Sequence, residues 1–270
     1  MSNKTIFSAI ALLFLVVLSS PAFAMGGHPL EKASSSATAV ANAAMRAPSK
    51  VNNVYSTNWA GYAVTGASGS VTDVKGSWIV PSATGKNAYS CNWVGIDGYA
   101  SSTVEQIGTD SDTDNRGNGV YYAWYEFYPN PAYYVPFTVS PGDKINAEIR
   151  NDPVKKISTA TITDVTKSKT VTVSKTGTFS CSSGEWITEA PWSNGVLPLA
   201  NFGTTSYGNT YTKISGTCSA TVNGQTNTIG NFTSNVNSIT MINNKGATKA
   251  STLPLSTDGS SFQINWVRAS

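Results

Sequence analysis

Histidine is almost missing from this chain. The single one among 270 residues, His28, lies in an N-terminal stretch expected to be removed. The remainder therefore has no Ser-His-Asp or Cys-His nucleophile and no histidine-based zinc site. Any catalysis has to come from carboxylates, amides, hydroxyls, lysine or tyrosine, and no cofactor is expected. Charge is also scarce: Asp, Glu, Lys and Arg make up 12% of the chain. Lys4, Lys32, Arg46 and Lys50 precede Val54 with only Glu31 against them, which leaves 14 basic and 14 acidic residues in the rest. No basic patch marks a nucleic-acid partner. An exterior of neutral Ser, Thr, Asn and Gly loses little when carboxylates protonate, so acid surroundings are tolerable. Cysteine is limited to three residues. Cys181 and Cys218 flank segments that can lie side by side and are the expected pair if a disulfide forms, leaving Cys91 over.

The one long apolar run is at the start. Lys4, the stretch Ile6 to Leu18, and Ala22-Phe23-Ala24 have the basic, apolar and A-x-A order of a secretory signal peptide cleaved after Ala24. The run is short for a membrane anchor, and no membrane association is expected of the mature protein. Residues 25–53 are rich in Ala, Ser, Asn and Lys and read as a propeptide or flexible leader. Residues 54–270 then form a single domain, large enough for a sizeable core. The mature protein is expected to be secreted and monomeric.

Helical periodicity is absent after the leader. Short alternating runs recur instead, separated by Gly, Pro, Asn, Asp and Ser, with strands expected at 58–64, 71–80, 88–97, 103–109, 119–128, 132–139, 144–150 and 157–164. Further strands are expected at 169–174, 184–189, 198–203, 209–214, 218–222, 225–229, 237–242 and 261–267. Asn223-Gly224 suits a type I′ hairpin turn. This pattern is that of an all-β sandwich or barrel.

The stretch Trp93 to Pro129 carries the chemistry. Alternate side chains on a strand share a face. Trp93, Gly95 and Asp97 therefore project together, as do Gln106 and Asp110, and Trp124, Glu126 and Tyr128. Glu185 and Glu189 share a parity in a later run. A carboxylate can take a proton from water and later give one to a leaving nitrogen. A glutamine amide can donate to a developing oxyanion at any pH. Two other chemistries fit the same residue types. A jelly-roll glycoside hydrolase would use Glu126 and Glu189 as its carboxyl pair, and a carbohydrate-binding sandwich would use the aromatics alone.

Five motifs occur in order: Asn58-Trp-Ala-Gly, Trp93-Val-Gly-Ile-Asp-Gly98, Gln106-x-Gly-x-Asp110, Ala123-Trp-Tyr-Glu-Phe-Tyr-Pro129 and Glu185-Trp-Ile-x-Glu189. Together they resemble the glutamic peptidases, or eqolisins (family G1), across essentially the whole of residues 54–270. The resemblance implies a bent antiparallel β-sandwich of two large sheets, of the concanavalin or jelly-roll kind. It also implies acid endopeptidase activity on protein and peptide substrates without metal or cofactor. Carried over residue by residue, it puts the catalytic glutamine at Gln106 and the catalytic glutamate at Glu189, with Glu185 as its motif partner. Trp93, Asp97, Asp110, Trp124, Glu126 and Tyr128 match positions of cleft lining or support. Parity alone does not choose between Glu185 and Glu189. The spacer from Asp97 to Gln106 is shorter than in fungal members and lacks their nearby cysteine.

Overall fold

A computed structural model describes residues 51–270 except Thr233, and the expected signal peptide and all but the last three residues of the expected leader lie outside that range. Seventeen strands and one short α-helix occur among the described residues, and the pairing separates them into two sheets. The first sheet runs, in spatial order, β1 (Val51–Ser56), β15 (Val236–Ile242), β2 (Trp59–Thr65), β11 (Ser183–Glu189), β4 (Cys91–Ile96), β5 (Val104–Thr113), β6 (Gly119–Tyr128) and β7 (Tyr133–Thr138). The second contains β16 (Thr248–Thr252), β17 (Ser261–Trp266), β12 (Thr204–Gly208), β3 (Val71–Ile79), β8 (Lys144–Asp152), β9 (Ile157–Asp164) and β10 (Lys169–Thr176). The hairpin β13 (Ser219–Val222) and β14 (Gln225–Thr228) pairs with the start of β3. β15 also pairs with β16, so the two sheets are continuous at that edge. All pairs are antiparallel except β1 with β15. The architecture is the all-β antiparallel one expected.

The second sheet shows the simplest relation of sequence to burial. In β8, Ile145, Ala147 and Ile149 point into the core while Asn146, Glu148 and Arg150 point away. In β9, Ala160 and Ile162 alternate with Thr159, Thr161 and Thr163, whose hydroxyls bond Ser174, Thr172 and Thr170 of β10. Those apolar residues meet Tyr62, Val64, Val94, Ile96, Ile107 and Trp186 of the first sheet in the main core. A polar tie crosses this core: Asn92 Nδ2 lies within 3.0 Å of Thr188, Thr205 and Tyr207 oxygens, and Tyr207 donates to the Ile187 carbonyl at 2.6 Å. It holds β4 and β11 of the first sheet on β12 of the second.

Four expectations change. Residues 209–214 are no strand, since α1 (Asn209–Thr212) turns the chain there, with Thr212 Oγ1 donating to the Gly208 carbonyl and Lys213 closing in the left-handed region. Residues 198–203 make only isolated bridges, at Leu199 and Asn201. β1, β12 and β16 are additional strands, β12 occupying the gap between the strands expected at 198–203 and 209–214, and the expected leader boundary at Asn53 falls inside β1. Cys181 and Cys218 are buried and not joined in a disulfide, and Cys91 is buried as well. The carbonyl of Cys181 bonds Val71, whereas Cys218 precedes Ser219, the partner of Lys75. Those positions on β3 are roughly 13 Å apart at strand rise, beyond the ~7 Å Cα limit of a disulfide.

Candidate active site

β2, β11, β4, β5 and β6 lie side by side, and the face they turn away from the main core carries the motif residues in three cross-strand rows. One row reads Ala63, Glu185, Gly95, Gln106, Glu126. The next reads Gly61, Ile187, Trp93, Gly108, Trp124, and the third Trp59, Glu189, Cys91, Asp110, Tyr122. Glycine is required at two of these points. A Cβ on Gly95 would stand 2.9 Å from Trp93 Cζ3, and one on Gly108 would stand 2.6 Å from Trp93 Cβ and 3.1 Å from Trp124 Cζ2. Both glycines leave room for the indoles to lie against the sheet, where they pack with Trp59, Ala63 and Ile187 as a second apolar cluster. Trp59 meets Trp93 edge to face at 5.0 Å.

The polar groups set among these rings are buried. Gln106 Nε2 donates to Glu126 Oε2 at 2.6 Å, while Gln106 Oε1 and Glu126 Oε1 have no protein partner. Glu189 Oε1 accepts from Asn58 Nδ2 at 3.0 Å and Oε2 from Trp93 Nε1 at 2.9 Å. The Trp59 indole also favours the charged form of this carboxyl, after Trp93 and ahead of Asn58, although it makes no hydrogen bond of ordinary geometry. Asp110 accepts from Trp124 Nε1 and from Tyr122 Oη, each at 2.6 Å.

Burial raises every one of these carboxyls. Glu189 is pushed up to about 8 by desolvation, against donors that favour its charged form. Glu126 is pushed up to about 9 by desolvation, opposed by the Gln106 amide and reinforced by the charge of Glu189. Desolvation and Asp112 drive Asp110 well above its ordinary range, and Glu189 adds to the rise. Glu189 thus acts on both Glu126 and Asp110.

Glu185 sits in a different neighbourhood. Neither of its oxygens has a hydrogen bond of ordinary geometry. It is raised well above the usual range by desolvation first and further by Asp97 and Glu105, against an opposing pull from the Ser183 hydroxyl and the Tyr99 backbone. So although Glu185 shares a row with Gln106, its carboxyl belongs with Asp97 and Glu105, whereas Glu189 acts on Gln106's partner Glu126. Asp97 has left-handed backbone geometry at φ 73° and accepts from Cys181 N, Ser182 N and Ser182 Oγ within 2.9 Å. It anchors the chain entering β11 and stands apart from Gln106. The short loop after it is closed by Ser101, whose Oγ accepts from Gly98 N at 2.8 Å and donates to the Thr103 carbonyl. Tyr128 continues the Trp124–Glu126 face one step further, half-buried.

Five contributors were not assigned a role from sequence. Asn58 and Trp59 lie in a motif that was noticed, but their role depends on a glutamate 131 residues later. Tyr122 and Asp112 share the parity of Trp124 and Asp110, and that parity was the available signal. Glu105, raised to about 8 by desolvation and Asp97 and hydrogen-bonded by Asn151, points to the opposite face of β5 and gave none. Among the described residues no group of three or more His, Cys, Asp or Glu is arranged to hold a metal ion, and no helix is long and apolar enough to cross a membrane.

Comparison with known proteins places this arrangement. The sequence profile of the Peptidase A4 family matches residues 57–252. Scytalido-glutamic peptidase, crystallised with a peptide-based transition-state analogue, superposes with a TM-score of 0.63 at 26% identity, over 78% of this chain and 98% of that one. Aspergilloglutamic peptidase from Aspergillus niger gives 0.54 at 27% identity, over 67% and 99%. SCP-B, an eqolisin crystallised with the tripeptide Ala-Ile-His, shares the fold with a TM-score of 0.59 at 24% identity, over 78% and 98%. No curated protein matches.

Proposed function

The chain belongs to the Peptidase A4 family, the glutamic peptidases, and is a peptide-bond hydrolase; from that premise we propose that Gln106 and Glu189 are its catalytic pair, working in acid on protein and peptide substrates after the enzyme is secreted. The observation that carries the assignment is the contrast in partners. Glu189 is held from two sides by Asn58 and Trp93 beside the Gln106–Glu126 pair, while Glu185 has no such support.

With Glu189 raised to about 8, its resting form in acid is the carboxylic acid. The cycle then begins one proton earlier than a simple general base would. Glu189 gives its proton to the scissile carbonyl oxygen as water adds to the carbon, and its carboxylate takes a proton from that water. Gln106 Nε2, with one hydrogen on Glu126, has a second for the oxygen that gains charge, and Gln106 Oε1 can accept from the attacking water. In the second half Glu189 protonates the leaving nitrogen, the C–N bond breaks, and the intermediate's hydroxyl proton returns to the carboxylate. The carboxylic acid is restored, with one acid and one amine released. Glu126 fixes the amide and Asp110 fixes the Trp124 ring beside it.

This scheme keeps activity in acid and loses it as Glu189 ionises. The alkaline limb should therefore lie nearer pH 7–8 than the pH 5–6 that ordinary carboxyl values suggest. Incubating the protein, with and without the N-terminal segment, with a peptide mixture across that range and reading the cuts by mass spectrometry tests the proposal. Absence of cleavage at every pH would sink it.

A further inference from the structure

At the end of the Glu189 row the hydrogens do not suffice for the contacts. Tyr122 Oη lies 2.6 Å from Asp110 Oδ2 and 3.2 Å from Asp112 Oδ2. A phenol has one hydrogen and can serve only one of them. The other carboxyl oxygens are already occupied, Asp110 Oδ1 by Trp124 Nε1 at 2.6 Å and Asp112 Oδ1 by the Ser90 amide at 3.1 Å. Both carboxyls are buried, at 1% and 6% exposure. With both ionised, one of Tyr122's two contacts would set lone pair against lone pair, and two like charges would sit two residues apart on one face of β5.

The groups that face the pair bring no relief. They are Cys91 of β4, Tyr122 and Glu126 of β6, Tyr134 of β7 and Glu189 of β11, with no lysine or arginine among them. Tyr134 packs edge to face on Tyr122 at 5.0 Å and limits its movement. The Asp110-Ser-Asp112 spacing was not among the sequence features singled out.

We propose that Asp110 and Asp112 hold one proton between them through Tyr122, and that Asp112 is a positioning residue for the peptidase reaction. This rests on the reading of Glu189 and Gln106 given above. In the singly protonated pair every close oxygen contact has a hydrogen, and Tyr122 and Trp124 are locked beside the Glu189 row. Loss of that proton opens the Asp112–Tyr122 contact and adds a second negative charge to the face on which the oxyanion forms. Desolvation pushes Asp112 up to about 7 and Asp110 well above the usual range, so at least one proton is retained throughout acid, and a second would leave the Tyr122 hydrogen without a carboxylate to accept it.

The test is the pH profile of kcat and kcat/KM on a peptide substrate for the wild type, Asp112→Asn and Asp112→Ala. Asparagine supplies a donor at every pH. Its alkaline limb is expected to move up by about one pH unit, with acid-side kcat within about threefold of wild type. Alanine has no donor and is expected to lose about tenfold in acid-side kcat with KM little changed. Superimposable alkaline limbs for wild type and Asp112→Asn would overturn the proposal. A second arm needs no substrate and no variant activity: carbon-13 titration of the assigned Asp110 and Asp112 carboxyls in the wild type. One proton on the pair at pH 5.5 is expected. Two ionised or two protonated carboxyls at that pH overturn the proposal even if peptidase activity is present, and an inactive wild type with a singly protonated pair would strike the peptidase reading alone.

Discussion

Glu185 and Glu189 lie four residues apart on one strand, face the same way and are both buried, yet their surroundings are opposite. Two side-chain donors from β4 and the Asn58 turn converge on Glu189, while Glu185 has none of good geometry and two further carboxyls for neighbours. A buried carboxyl with donors can pass between its acid and its base at a modest cost, and one without donors is kept neutral. The residue type therefore says little about role, and the donors say much.

The sharpest way to break this contrast is to exchange each glutamate for its isostere. Glu189→Gln keeps the shape but can neither give nor take the proton. Turnover should fall by at least about 10³-fold, with circular dichroism unchanged. Glu185→Gln should keep activity within about fivefold by the same assay, since a neutral amide replaces a neutral acid. If Glu185→Gln is the lethal change and Glu189→Gln is tolerated, the assignment is reversed. Gln106→Ala comes second in size, with an expected loss of about 10²–10³ in kcat for one oxyanion donor. A Gln106→Ala protein with full activity would falsify its role. Glu126→Gln should cost about tenfold, because the amide can turn either its oxygen or its NH2 toward Gln106 Nε2 and so fixes the Gln106 amide less firmly than the carboxyl does. An abolition equal to that of Glu189→Gln, with sugar hydrolysis in the wild type, would point to the carboxyl pair of a glycosidase instead.

A smaller effect concerns stability against pH. Glu105, Glu126, Glu189 and Asp112 have folded values of about 8, 9, 8 and 7, against 4.5 for free Glu and 3.8 for free Asp. The folded protein therefore binds more protons than the unfolded chain between about pH 4 and pH 9. Their contribution is fully present below pH 4 and is lost as pH rises through those folded values. Lys249, lowered to about 8 by desolvation, acts in the opposite sense, and only between about 8 and its ordinary 10.5. The melting temperature should fall by more than about 5 °C from pH 4 to pH 8. Glu185→Gln should flatten that fall slightly, and a melting temperature that rises over this interval would contradict the burial account.

How much of this was readable from the chain depends on where each residue's partner comes from. β9 (ISTATITD) has alternation, and its polar half faces outward, so sequence and burial agree. β5 (VEQIGTDSDT) is similarly polar but is buried along its whole length. Parity still sorted Gln106 and Asp110 onto one face. The resemblance to a known family, rather than parity, then chose Glu189 over Glu185. The donors that distinguish the two arrive from distant strands, and no local pattern encodes such contacts. The same limit explains the misread strands. β1 has no alternation of its own and is defined by β15, and the expected strand at 209–214 breaks where the chain must turn after Gly208.

The pairing of β1 with β15 also bears on the order in which the molecule can be assembled. Val51 lies against Val236, and among the described strands β1 pairs with β15. A ribosome releases β1 some 185 residues before the strand that receives it. Until then β1 is an unpaired edge, open to other chains, and contacts of such sequence separation are slow to form. Truncation before Val236 would remove the strand that lies between β1 and β2, so the sheet that carries the site is completed only as the last 35 residues of the chain are made.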